Sequence, residues 1–198
     1  AYNFTKGGDI GFLLLHQLGS NRSAYNAFYD SLVLKNYSVI AIDFRGNGES
    51  DLDYNNFTEK DWKKLILDVQ AARDFLAQQE IYKVVVVGAS IGANTALQFG
   101  AQDGKLLGLI LISPGEDYQG VKTLDYASTY TRPIMIIVSE GDVYSYNSTQ
   151  KIYAALGTPE NQKQLNVFRN SYHGTEQFKT QATAYQIFLW LGQFRDVK

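Results

Sequence analysis

The most constraining stretch of the chain is Val84-Val85-Val86-Val87-Gly88-Ala89-Ser90-Ile91-Gly92-Ala93. Four consecutive β-branched residues favour an extended strand. Because they do not alternate with polar residues, both faces of that strand are expected to be covered. Gly-x-Ser-x-Gly then turns the chain into a helical pattern. In so tight a turn the residues two before and two after the serine collide unless they lack side chains, which glycine at 88 and 92 provides. Ser90 is forced into a strained backbone conformation, its hydroxyl standing above the sheet. The helix that begins there adds positive potential and a free backbone N–H at Ile91. An ordinary strand-to-helix turn would also use small residues, but the strand-turn-helix context favours a special serine.

The rest of the chain repeats this alternation. Short apolar runs predict strands at Ile10–Leu15, 39–44, 83–87, 107–113, 133–139 and 164–168. Helical patterns fill the gaps at 23–35, 92–101 and 147–156. Thr58-Glu59-Lys60-Asp61 has capping-box spacing, and Trp62, Leu65, Ile66, Val69, Ala72 and Leu76 behind it share one helical face. Phe178, Ala182, Tyr185 and Leu189 repeat at the same period in the last helix. The expectation is a single α/β domain over 1–198, with a mostly parallel sheet of about six strands or more and helices on both faces. Chemistry then belongs at the carboxyl ends of the strands.

A serine hydroxyl needs a base, and the base needs an orienting carboxylate. His173 is the only histidine after Ser90 and sits in a polar loop behind the last predicted strand. A surface histidine would also suit such a loop, but the order serine, acid, histidine requires a base there. The acid belongs in the loop after strand 133–139, where Asp142 is better placed and Glu140 is the alternative. Asp43 precedes Ser90 and is expected to pair locally with Arg45 or turn amides. The loop Leu15-His16-Gln17-Leu18-Gly19 can aim the Leu18 N–H at a developing oxyanion, partnered by Ile91. His16 is expected to buttress that loop through its ring nitrogens.

Composition excludes several classes. The chain has no cysteine, which removes thiolate nucleophiles and iron–sulfur or zinc-ribbon sites. Two histidines are too few for most histidine metal sites, so no metal is expected. A net charge of −2, with 18 basic and 20 acidic residues, argues against nucleic acid. No apolar run is long enough to span a membrane. A dinucleotide site would need glycine where Ser90 stands, and no Gly-Lys-Ser/Thr occurs. The chain opens at Ala1 without a signal segment, as a mature form with its targeting segment removed would. Five Asn-x-Ser/Thr sequons, at Asn3, Asn21, Asn36, Asn56 and Asn147, fit an extracytoplasmic life or simply an Asn-rich sequence. Otherwise the expected compartment is the cytoplasm.

Five segments, in order and across nearly the whole chain, resemble the α/β-hydrolase superfamily. They are Leu14-Leu15-His16-Gln17-Leu18-Gly19, Asp43-Phe44-Arg45-Gly46-Asn47-Gly48-Glu49-Ser50, Gly88-Ala89-Ser90-Ile91-Gly92, Ser139-Glu140-Gly141-Asp142 and Tyr172-His173-Gly174. The resemblance implies the α/β-hydrolase fold and a cofactor-free serine hydrolase with a Ser90–His173–Asp142 triad and an oxyanion hole at Leu18 and Ile91. It implies a small-molecule ester as substrate, and the expected assembly is a monomer or a dimer. A thioesterase, lactonase or amidase, or a catalytically silent binding protein, is the alternative.

Three departures shape the details. Gln17 stands where the family usually has glycine. A polar residue there resembles lidless, dienelactone-hydrolase-like members whose side chain faces the site, so Gln17 is a candidate contact for substrate or nucleophile. Only 18 residues separate Ser113 from Arg132, too few for a cap domain, so an open site is expected. About nine residues remain for the usual amino-terminal pair of antiparallel strands, so that end is expected to be trimmed or divergent. The loops are rich in tyrosine, and Tyr144 and Tyr172 are substrate-binding candidates. Such faces suit short acyl groups on polar alcohols such as sugars, or simply pack the loops.

Overall fold

The computed structural model describes residues 1–194. Nine strands run β1 (Tyr2–Thr5), β2 (Ile10–Leu15), β3 (Ser38–Ile42), β4 (Lys83–Ala89), β5 (Gly108–Ile112), β6 (Asp117–Tyr118), β7 (Val121–Lys122), β8 (Ile134–Ser139) and β9 (Lys163–Phe168). Seven helices run α1 (Asn26–Leu34), α2 (Glu59–Trp62), α3 (Leu65–Gln78), α4 (Ile91–Gln102), α5 (Leu124–Ala127), α6 (Val143–Ala155) and α7 (Gln181–Leu191). Seven strands form one sheet in the order β1-β3-β2-β4-β5-β8-β9. All neighbours are parallel except β1, which runs antiparallel to β3.

The six predicted strands are all present, and β1 is an addition. The amino end supplies one short antiparallel strand rather than a pair. Its Tyr-Asn-Phe-Thr sequence carries no apolar run, and Tyr2 is half exposed at the sheet's edge.

Side chains of alternate strand residues enter two cores. Leu13, Ile40, Val84, Val86, Leu109 and Ile136 face Leu65, Val69 and Leu76 of α3 and Ala96 and Leu97 of α4. Phe12, Val39, Val85, Val87, Ile110 and Ile137 face Phe28 and Leu32 of α1 and Ile187, Trp190 and Leu191 of α7. All four valines of β4 are fully buried. Each buried aliphatic side chain is worth about 1.5–3 kcal/mol. A one-residue slip of β4 would exchange its faces at little hydrophobic cost. Its register is instead pinned where the chain must turn, with Gly88 opposite Leu15 on one side and Leu111 on the other.

Helix α2 begins with the expected capping box, Asp61 accepting from the backbone N–H and hydroxyl of Thr58. The predicted helix behind it breaks at residues 63–64, but its apolar face remains, with Trp62, Leu65, Val69, Ala72 and Leu76 buried. The last helix corrects the sequence reading. Phe178 belongs to a separate 3-10 segment, Gly174–Lys179, and Tyr185 and Leu189 are more than half exposed. The buried face of α7 is Thr183, Ile187, Trp190 and Leu191. This helix is apolar on both sides, so periodicity gave its type and not its phase. Between Ser113 and Arg132 lie only the β6–β7 hairpin and α5, and no cap domain occurs among the described residues.

Candidate active site

Ser90 occupies the sharp turn between β4 and α4, at φ 55° and ψ −120°. A Cβ on Gly88 would stand 2.2 Å from the Gly92 carbonyl oxygen. One on Gly92 would stand 2.5 Å and 2.6 Å from the carbonyl oxygens of Leu15 and His16. The Ser90 N–H donates to the Ile112 carbonyl at 2.8 Å, which ties the turn to β5. This positive φ is strain maintained by the surrounding backbone.

Three loops converge on the hydroxyl. His173 Nε2 lies 2.8 Å from Ser90 Oγ, and His173 Nδ1 lies 2.7 Å from Asp142 Oδ2. Asp142 stands at the N-cap position of α6, just after β8, without a side-chain capping bond. Glu140 is exposed on the same turn and makes no contact with the imidazole. Burial pushes the Asp142 carboxyl up, but hydrogen bonds from His173 and Ser145 and the His173 charge outweigh it and hold the carboxyl below its ordinary value. The carboxylate is therefore ionised at neutral pH and keeps a proton on Nδ1. That leaves Nε2 free to accept the serine proton. The His173 side chain is 38% exposed and that of Asp142 12%, so the imidazole faces solvent and the carboxylate sits behind it.

Neither the Leu18 nor the Ile91 amide donates a hydrogen bond among the described residues. Both remain available to an oxyanion. The Leu18 loop is held from behind by His16. Nε2 of His16 accepts from the Phe44 N–H at 3.0 Å, so Nδ1 carries the proton and donates to the Gln17 carbonyl at 2.7 Å. Burial lowers the His16 pKa against smaller opposing effects from Gln17 and Asp43. Asp43 secures the same loop, accepting from the backbone N–H and guanidinium of Arg22 and from the Glu49 N–H at 2.9 Å. Of the two partners expected for Asp43, the turn amide is found at Glu49, whereas Arg45 pairs with Asp68. The turn carries Arg45 away toward α3, while Arg22 approaches from the neighbouring loop.

Of the substrate-binding candidates, the side chains of Gln17 and Tyr144 make bracing hydrogen bonds, while Tyr172 does so through its backbone. Gln17 Oε1 accepts from the Thr175 N–H and hydroxyl. The Tyr144 hydroxyl donates to the Asp117 carbonyl at 2.8 Å and supports the hairpin. The Tyr172 carbonyl accepts from Gln177 Nε2 at 2.8 Å. A tyrosine that the sequence does not single out, Tyr118, packs against Ser145 and His173. Its hydroxyl lies 2.9 Å from Ser145 Oγ, and its ring meets the His173 imidazole edge-on at 6.2 Å. Ser145 Oγ in turn lies 3.4 Å from His173 Nδ1. Desolvation, chiefly, raises the Tyr118 pKa to about 12, so the phenol stays protonated. The hairpin that carries it is clamped by α4, where the buried Asn94 donates to the Val121 carbonyl and accepts from the Gly115 N–H. The one available signal was position: Tyr118 lies in the short connector that stands where a cap would.

A cleft of about 550 Å³ beside β1 is lined by Tyr2, Asp43, Arg45, Asp68 and Phe75 and contains none of the three converging residues. Its Asp43, Glu49 and Asp68 are paired with Arg22 and Arg45, so the chemistry is read at Ser90. No cluster of three or more histidine or carboxylate side chains able to hold a metal occurs among the described residues. No helix there is long and apolar enough to cross a membrane.

A parallel sheet with one antiparallel edge strand, bearing a strained serine at a strand-to-helix turn, is the architecture of the α/β hydrolases. Residues 11–122 match the family described as serine aminopeptidase, S33, and the chain belongs to that family within the α/β-hydrolase superfamily. The matched span contains Ser90 and ends before Asp142 and His173. Uncharacterized protein Rv2715 of Mycobacterium tuberculosis is 32% identical over 110 residues, 55% of this chain and 30% of its own length. The chain thus spans about a third of the length of the curated relatives it matches. Among solved structures, the Pyrococcus furiosus esterase Pf2001 has a TM-score of 0.83 at 19% identity, over 97% of this chain and 86% of its own. Mouse alpha/beta hydrolase domain-containing protein 10 has a TM-score of 0.79 at 16% identity, over 98% and 93%.

Proposed function

We propose that this protein is a serine hydrolase that cleaves short-chain carboxylic esters through an acyl-enzyme. The observation that carries the reading is the His173 bridge, with Nε2 at 2.8 Å from Ser90 Oγ and Nδ1 at 2.7 Å from Asp142. Ser90 Oγ attacks the ester carbonyl as Nε2 takes its proton. Asp142 holds the tautomer and stabilises the imidazolium. The Leu18 and Ile91 amides stabilise the oxyanion, each worth roughly 3–4 kcal/mol in the transition state. The imidazolium then protonates the leaving alcohol, and His173 activates water to release the acid.

Two further observations support this reading. The family match includes Ser90, and a neighbour of the same fold is an esterase. The short acyl range follows from the hairpin that stands in place of a cap, since long acyl chains need a covered apolar tunnel. The test is turnover of nitrophenyl esters from acetyl to octanoyl. The reading expects the highest kcat/KM on the shortest chains. It also expects Ser90→Ala to lower kcat by about 10⁴–10⁶. Wild-type turnover in Ser90→Ala would overturn it.

A further inference from the structure

Gln17 and Thr175 are 158 residues apart and share two hydrogen bonds. Gln17 Oε1 accepts from the Thr175 N–H at 2.8 Å and from its hydroxyl at 2.7 Å. Gln17 immediately precedes Leu18, the donor proposed for the oxyanion. Thr175 lies two residues beyond His173, the proposed base. The contact therefore joins the loop that carries one catalytic group to the loop that carries the other.

The surroundings fit a strap. Gly174 has φ 56°, and a Cβ there would stand 2.5 Å from Gln17 Oε1, so the close approach needs glycine. On the other side, the Gln17 carbonyl accepts from His16 Nδ1 at 2.7 Å and from the Ser20 N–H at 3.3 Å, which fixes its backbone. Other ties anchor the histidine loop elsewhere. The Gly174 N–H donates to Ser113 Oγ at 3.0 Å, behind β5. Gln177 Nε2 donates to Ser139 Oγ at 2.5 Å, at the end of β8. Those contacts set the base relative to the strands beside the nucleophile and the acid. The Gln17 contact sets it relative to β2, the strand that leads to the oxyanion donor.

We propose that Gln17 is a positioning residue. By holding Thr175 it fixes the separation of the Leu18 amide from the His173 imidazole, so that both meet the same tetrahedral intermediate. This rests on the hydrolase reading above. A shift of about 1 Å in a catalytic group can cost about 10²-fold in rate. Losing the strap should therefore fall on kcat while leaving KM nearly unchanged.

The test uses the whole chain, with Gln17→Leu, Thr175→Val and the double variant, on nitrophenyl acetate. Gln17→Leu should lower kcat about 10- to 100-fold. Thr175→Val, which keeps the backbone donor, should lower it about 2- to 10-fold. The double variant should be no worse than Gln17→Leu, because both remove one contact. The second readout is the downfield proton resonance of His173 Nδ1 against Asp142, which should broaden or shift when the strap is cut. It reads the geometry whether or not an ester is turned over. Should Gln17→Leu fail to fold, Thr175→Val carries both readouts. Unchanged kcat and an unchanged imidazole proton in folded variants overturn the strap, with the hydrolase reading intact. Absence of wild-type turnover and of Ser90 reactivity overturns the hydrolase reading. A moved imidazole proton would then keep the link between the two loops.

Discussion

Gly92 lies so close to Leu15 that the strand's last carbonyl oxygen occupies a point 2.5 Å from where a Gly92 Cβ would be. The first turn of α4 is thereby pressed against the strand that leads to the Leu18 loop. Both obstructing atoms are backbone carbonyl oxygens, which cannot rotate away as a side chain could. Gly92→Ala should destabilise the fold by about 1–3 kcal/mol or more, as overpacking does. It should also lower kcat, because the Ile91 and Leu18 amides would separate. Thermal unfolding and ester turnover on the same preparation check both effects. Unchanged Tm and kcat would contradict the packing account.

Asp142→Asn keeps the shape of the acid but presents Nδ1 with an amide that can donate. The imidazole then favours the wrong tautomer, and kcat should fall about 10⁴-fold with little change in Tm. Glu140→Gln should leave kcat near wild type, since Glu140 stands exposed and away from the imidazole. The reverse pattern in a two-variant kinetic comparison would reassign the acid.

The positions that sequence reading reached are those where backbone geometry or chain order leaves few choices. Gly88, Ser90 and Gly92 are dictated by the turn, and His173 is the only histidine after Ser90. The central strands were legible because each is a short apolar run covered on both faces. The phase of α7 was not, since Tyr185, Leu189, Ile187 and Trp190 are all apolar and only tertiary packing chooses between them. Strand β1 carried no apolar signal. Tyr118 and Ser145 depend on contacts across the hairpin and α6, which no local pattern encodes. The same holds for Gln17, whose partner Thr175 is 158 residues away.

His16 is buried neutral, accepting at Nε2 from the Phe44 N–H, and burial lowers its pKa. In the unfolded chain it protonates near the ordinary value of about 6.5. The unfolded state therefore binds more protons as pH falls through that value, and stability drops. The contribution is fully present above about pH 6.5 and is lost as pH falls toward the folded value. Asp43, whose carboxyl is also held below its ordinary value, adds a further loss below about pH 4. Urea unfolding across this range should show a falling midpoint, and His16→Asn should flatten the slope around neutral pH. An equal slope in the variant would remove His16 from the account.

Tyr118→Phe deletes the hydroxyl beside Ser145 and keeps the ring against His173. The loss of its hydrogen bonds to Ser145 and the Ser113 carbonyl should cost about 2- to 10-fold in kcat. Tyr118→Ala also removes the ring and opens the site, so longer acyl chains should gain in kcat/KM relative to acetate. A chain-length panel on both variants separates the two effects, and an unaltered acyl preference in Tyr118→Ala would show that the ring does not border the acyl group.

The central claim is that His173 activates Ser90. Labelling of the native protein with a fluorophosphonate, followed by mass spectrometry of the modified peptide, tests it most directly. The account predicts one label, on the peptide that contains Ser90, and its loss in His173→Ala. A folded protein that takes no label, or takes it equally well without His173, would contradict the account.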